Sequence, residues 1–105
     1  MIVTFEKEYL RDLYETGKTT DKKHRFQPEI ITRYRQNINL MCQVADTNSL
    51  AKYKSLNFEN LKGDKLGISS IRVNKQYRIE FTVKDDGVEP FVTICNIIEL
   101  SNHYK

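Results

Sequence analysis

The amino-acid sequence predicts an α+β domain, a mostly antiparallel twisted sheet with two amino-terminal helices packed on one of its faces. Three stretches carry that reading. Ser70–Phe81 holds two short runs with apolar residues at every second position, Ser70-Ile71-Arg72-Val73 and Tyr77-Arg78-Ile79-Glu80-Phe81, as a half-buried hairpin requires. Pro28–Ala45 places Ile30, Ile31, Tyr34, Ile38, Met41, Cys42 and Ala45 on one helical stripe, broadened by Leu40 and Val44. Phe91–Ile98 is apolar on both sides, the mark of an interior strand rather than an edge.

The hairpin register follows from parity. With Asn74-Lys75-Gln76 as the turn, Val73 faces Tyr77, Arg72 faces Arg78 and Ile71 faces Ile79, so all apolar residues share a face. A two-residue turn would pair Ile71 with Arg78 and mix the faces, which a sheet buried on one side does not tolerate. The three-residue turn therefore sets two arginines opposite each other on the face away from the core. Like charges so placed destabilise a sheet unless an anion lies between them, and a guanidinium fork matches phosphate oxygens. Solvation of both arginines, with Arg78 paired to Glu80 or Glu99, explains the pattern equally well.

The remaining elements are read in chain order. Ile2–Phe5 is a short strand, and Glu6–Thr16 a helix with Phe5, Tyr9, Leu10, Leu13 and Tyr14 at helical spacing, ended by Gly17 in the left-handed region. Lys18–Gln27 has no period and forms a loop in which His24 is exposed and idle. Pro28 suits the first position of the long helix, where its missing N–H costs nothing. Asp46–Ser49 breaks that helix, Asn48 or Ser49 caps one further turn over Leu50–Tyr53, and Lys54–Asn60 is a linker. The Gly-punctuated basic loop Leu61–Gly67 leads into the hairpin. Beyond it, Asp85-Asp86-Gly87 turns the chain and Glu89-Pro90 extends it into the last strand. If that strand runs antiparallel to the one at Tyr77, it finishes beside Arg78 and delivers the chain terminus there.

At 105 residues, the chain is read as one domain spanning positions 1–105, large enough for a core without staples. Cys42 and Cys95 lack metal-ligand spacing and read as reduced core residues. Net charge is only +3, but its distribution is uneven. Between Lys52 and Lys84 eight basic residues (Lys52, Lys54, Lys62, Lys65, Arg72, Lys75, Arg78, Lys84) face three acidic ones (Glu59, Asp64, Glu80). Lys18, Lys22, Lys23 and Arg25 form a second cluster opposed by Asp21 alone. Such concentration in loops and hairpin suits a surface that meets phosphates. Charged residues at Glu6, Lys7 and Glu8 interrupt any leader-like apolar run, and no stretch reaches membrane-span length, so a soluble cytoplasmic protein is expected.

No Walker loop, zinc-ligand spacing, dinucleotide glycine pattern or Ser/His/Asp set occurs. What remains is Lys62, Arg72, Arg78, His103 and Tyr104, gathered by topology. Cations for a phosphate, with an imidazole or phenol for proton transfer, are what metal-free RNA cleavage by the adjacent 2′-hydroxyl demands.

The run Leu61-Lys62-Gly63-Asp64, with Ser70-Ile71-Arg72-Val73-Asn74, Gln76-Tyr77-Arg78-Ile79 and Phe81, resembles the HigB branch of the RelE/ParE toxin superfamily of bacterial type II toxin–antitoxin pairs. The resemblance implies a compact α+β toxin that enters the ribosomal A site, cuts mRNA without metal or cofactor, and is held inactive by a HigA-like antitoxin. It implies phosphate contact for Lys62 and transition-state stabilisation for Arg78; Arg72, Lys65, Lys75, Asn102 and Lys105 are the further candidates for contact with RNA or phosphate. The family often ends Asp-Tyr-His, whereas this chain ends Asn102-His103-Tyr104-Lys105. The acid/base group is thus His103 or Tyr104, and His103 is favoured by its near-neutral reference pKa. Two other readings stand beside this one. The first is a ParE-like toxin that inhibits a DNA-handling enzyme without chemistry; the second is a non-catalytic nucleic-acid-binding module, disfavoured because Tyr77, Phe81 and Phe91 read as core.

Overall fold

In the computed structural model, which describes residues 1–102, five strands form one sheet in the order β1-β5-β4-β3-β2. Strand β1 spans Ile2–Phe5, β2 Glu59–Asn60, β3 Ser69–Arg72, β4 Arg78–Asp85 and β5 Thr93–Ser101; helix α1 spans Glu8–Glu15, α2 Pro28–Gln43 and α3 Thr47–Ala51. β5 lies inside the sheet, parallel to β1 and antiparallel to β4, the interior place expected for it.

The hairpin has the register that parity demanded. Ile71 pairs with Ile79 and Arg72 with Arg78, and the Val73 N–H donates to the Tyr77 carbonyl at 2.9 Å. The turn is held by the Asn74 side chain, whose Oδ1 accepts from the N–H groups of Gln76 and Tyr77 at 2.9 and 2.7 Å. Ile71, Val73, Ile79 and Phe81 enter the core with Leu10 and Leu13 of α1 and with Tyr34, Ile38 and Met41 of α2. Fully buried Tyr34 keeps its hydroxyl satisfied by donating to the Leu10 carbonyl at 2.7 Å, tying the two helices together.

Several expectations are corrected by specific contacts. Helix α1 starts at Glu8 rather than Glu6, because the Glu6 N–H prolongs the parallel ladder by donating to the Ile97 carbonyl at 2.8 Å. Helix α3 is capped by Asp46, whose carboxylate accepts from the Ser49 N–H at 2.8 Å and is held below the usual carboxylate range by that bond. Strand β5 begins at Thr93, not Phe91, since the chain before it wraps around Asp86: Oδ1 accepts from the Val88 and Val92 N–H groups. Phe91 is consequently 62% exposed instead of core. Cys42 lies on the exposed side of α2, whereas Cys95 is buried, and its burial pushes the thiol pKa up to about 11. His24 is not idle: its ring stacks on Tyr9 with centroids 3.7 Å apart, and Nδ1 lies 2.9 Å from Asp21 Oδ2. No helix among the described residues is long and apolar enough to cross a membrane.

Candidate active site

Alternation along β3 and β4 sends Ser70, Arg78 and Glu80 to the sheet face opposite the helices, yet all three are buried there. The cover comes from the segment between α3 and β3. A 3₁₀ turn over Lys54–Leu56 ends at Asn57 in the left-handed region (φ 44°), and β2 then pairs Glu59 with Ser70 and Asn60 with Ser69. Lys54–Asn60 has no period and is expected to be a linker. Its order instead comes from pairing with β3 and from Phe58, which meets Phe81 at 6.2 Å between ring centroids.

Arg78 is held from two sides. Its Nε donates to Ser70 Oγ at 2.8 Å; Nη2 donates to the Ser70 carbonyl at 3.2 Å and to the Asn57 carbonyl, with a Glu59 carboxylate oxygen 3.9 Å away. The guanidinium is only 5% exposed, and these bonds fix the plane of its fork. Two residues along the same face, the carboxylate of Glu80 is 2% exposed and accepts from Lys65 Nζ at 2.7 Å. Lys65 thus anchors the basic loop to the sheet. Lys62 stands exposed at the head of that loop, and no carboxylate pairs with it among the described residues.

The register also brings the end of β5 to this place, since Ser101 is the ladder partner of Arg78 and Asn102 follows it, exposed. His103, Tyr104 and Lys105 lie outside the described residues. On the other side of the strand end, Lys23 and Arg25 line a hollow of about 250 Å³ with Tyr77, Glu99, Ser101 and Asn102. Lys23 and Arg25 of the second basic cluster thus share an end of the sheet with Arg78. Its loop is pinned through His24 on Tyr9, whose hydroxyl pKa is raised to about 12 by burial and by Glu99; the bond to His24 lowers that of Asp21.

Arg72 behaves differently from its cross-strand partner. It is exposed, its Nε donates to the Asn74 carbonyl at 3.1 Å, and with Lys75 it lines a groove against α2. Although their backbones are opposed, the two arginines have separate sets of partners. Among the described residues no group of three or more His, Cys, Asp or Glu side chains could hold a metal ion.

The fold is that of solved toxin structures. A YoeB/ParE toxin from Agrobacterium tumefaciens matches with a TM-score of 0.55 at 21% identity, over 99% of this chain and 100% of that one. The heterotetrameric YoeB–YefM toxin–antitoxin complex from Staphylococcus aureus matches at 0.52 and 20% identity, over 99% and 98%. No curated protein matches the chain in sequence. The family model of HigB-like toxins, RelE-like toxins of type II toxin–antitoxin systems, matches residues 3–93, and the chain belongs to that family.

Proposed function

We propose that this toxin is an endoribonuclease that cuts mRNA in the ribosomal A site by attack of the 2′-hydroxyl on the neighbouring phosphorus, with no metal or cofactor. The observation that supports it best is a buried guanidinium, oriented by Ser70 and Asn57, at the ladder position opposite Ser101. In the reaction the bond from O2′ to phosphorus forms, the bond from phosphorus to O5′ breaks, one proton leaves O2′ and another reaches O5′. Charge accumulates on the non-bridging oxygens, where a fixed cation lowers the barrier. We assign that stabilisation to Arg78, phosphate contact to Lys62 and proton transfer to His103, with Tyr104 as the other candidate. Lys65, Arg72, Lys75, Asn102 and Lys105 would hold the strand, Lys65 through its hold on the loop.

The partner we infer is a HigA-like antitoxin, as the Staphylococcus toxin neighbour is complexed with its own antitoxin; the compartment is the cytoplasm. Primer extension on translated mRNA tests the reading. His103→Ala is expected to slow cleavage by about a hundredfold or more while ribosome co-sedimentation persists. Wild-type cleavage by His103→Ala together with loss in Tyr104→Phe would transfer the proton role to the phenol. Growth arrest that survives both changes and Arg78→Ala would favour the ParE-like alternative.

A further inference from the structure

Helix α2 and the hairpin turn enclose a groove of about 460 Å³ that lies apart from the Arg78 site. Glu29, Arg33 and Asn37, one helical turn apart on α2, form one wall; Arg72, Asn74 and Lys75 form the other. The local bonding leaves donors on the hairpin wall. Asn37 Nδ2 donates to the Arg72 carbonyl at 3.0 Å and so caps the edge of β3 where β2 no longer pairs. Arg72 spends Nε on the Asn74 carbonyl, leaving its terminal nitrogens for another acceptor. Asn74 has its Oδ1 committed to the turn, so its amide NH₂ is the outward group. Arg33, Arg72 and Lys75 are all exposed, and none of them is ion-paired among the described residues. Glu29 is the single carboxylate in the lining.

We infer that this groove is a second anion subsite, which takes a phosphodiester of the RNA strand next to the one cut at Arg78. The inference rests on the nuclease reading for the identity of the strand, and on the groove itself for the chemistry. Three unpaired cations with one acid attract a polyanion, and the arginine fork can grip a phosphate by two bonds. Arg72 and Arg78 are ladder partners, about 5 Å apart at the backbone. A strand whose scissile phosphate meets Arg78 therefore has adjoining phosphates within reach of Arg72.

The test measures binding without cleavage. A labelled, fully 2′-O-methylated single-stranded RNA cannot be cut by 2′-hydroxyl attack, and its affinity for the free toxin is read by fluorescence anisotropy over a salt series. Arg33→Gln combined with Lys75→Gln is expected to weaken binding at least tenfold at low salt and to flatten the plot of log affinity against log salt by about 0.7 per charge removed. Glu29→Gln is expected to tighten binding several-fold, which a merely unfolded variant could not do. Unchanged affinity and slope in the double variant would overturn the subsite, as would wild-type protein that does not bind the RNA. A double variant that keeps RNA affinity but loses antitoxin affinity would overturn it in favour of an acidic protein segment. Loss of binding in the double variant with no cleavage by wild-type toxin would leave the groove standing and reject the nuclease reading alone.

Discussion

Arg78→Lys toxin is expected to cleave mRNA on the order of a hundred times more slowly than wild type, a loss of roughly 3 kcal/mol of transition-state stabilisation. Lysine keeps the charge but has one nitrogen in place of a planar fork. It cannot reproduce the bonds to Ser70 Oγ and the Asn57 carbonyl together, and those bonds aim the cation. This substitution is more informative than Arg78→Ala, which removes the charge and also strips a 5%-exposed site of the partner for a buried serine and two carbonyls. Such losses cost about 1–3 kcal/mol of folding stability each, so a dead alanine variant could be an unfolded one. Single-turnover cleavage by Arg78→Lys, with its denaturation midpoint measured beside wild type, separates the two. Cleavage at the wild-type rate would remove Arg78 from the chemistry.

The largest stability effect is expected at Phe81. Its ring is fully buried, faces Phe58 from the covering segment, and occupies the position where the pairing of β4 with β5 shifts register. Phe81→Ala empties a ring-sized volume in a close-packed core and should cost about 3–5 kcal/mol, a large share of the 5–15 kcal/mol available to an ordinary domain. Phe81→Leu keeps most of the volume and should cost below about 1.5 kcal/mol. In urea titrations the alanine variant is expected to lower the midpoint without changing the slope. The ring also connects stability to the site, since Phe58 adjoins Asn57, whose carbonyl holds Arg78. A loss smaller than about 1 kcal/mol in Phe81→Ala would mean that the covering segment is not anchored there.

The parts of the fold legible in the sequence are those written in local period. Parity settled the hairpin register, the missing N–H of Pro28 marked the start of α2, and the unbroken apolar run marked β5 as interior. Given an antiparallel neighbour for the strand at Arg78, the end of β5 fell beside that residue, as the ladder pairing of Arg78 with Ser101 bears out. What stayed hidden was carried by single long-range contacts. Nothing periodic in Lys54–Asn60 announces that Asn57 and Glu59 will close over Arg78, or that Lys65 will reach the buried Glu80 fifteen residues on. His24 gains a role only because the loop folds back on Tyr9. Nothing local singles out Arg33 on its helix; the hairpin turn opposite makes it part of a groove. Phe91 was misjudged because its hydrophobicity outweighed the Asp86 side chain that pulls the chain out of the ladder.

The central claim is that the toxin cuts RNA by internal attack of the 2′-hydroxyl, and the ends of the fragments test it most directly. Wild-type toxin, freed from its antitoxin, would be incubated with a ribosome programmed with a short labelled mRNA, and the products resolved by end-group chemistry. The account predicts fragments ending in a 2′,3′-cyclic phosphate upstream and a 5′-hydroxyl downstream, with no cut when the nucleotide before the scissile phosphate carries a 2′-deoxy sugar. A 5′-phosphate on the downstream fragment, cleavage that tolerates the deoxy substitution, or intact mRNA alongside growth arrest in cells would contradict it.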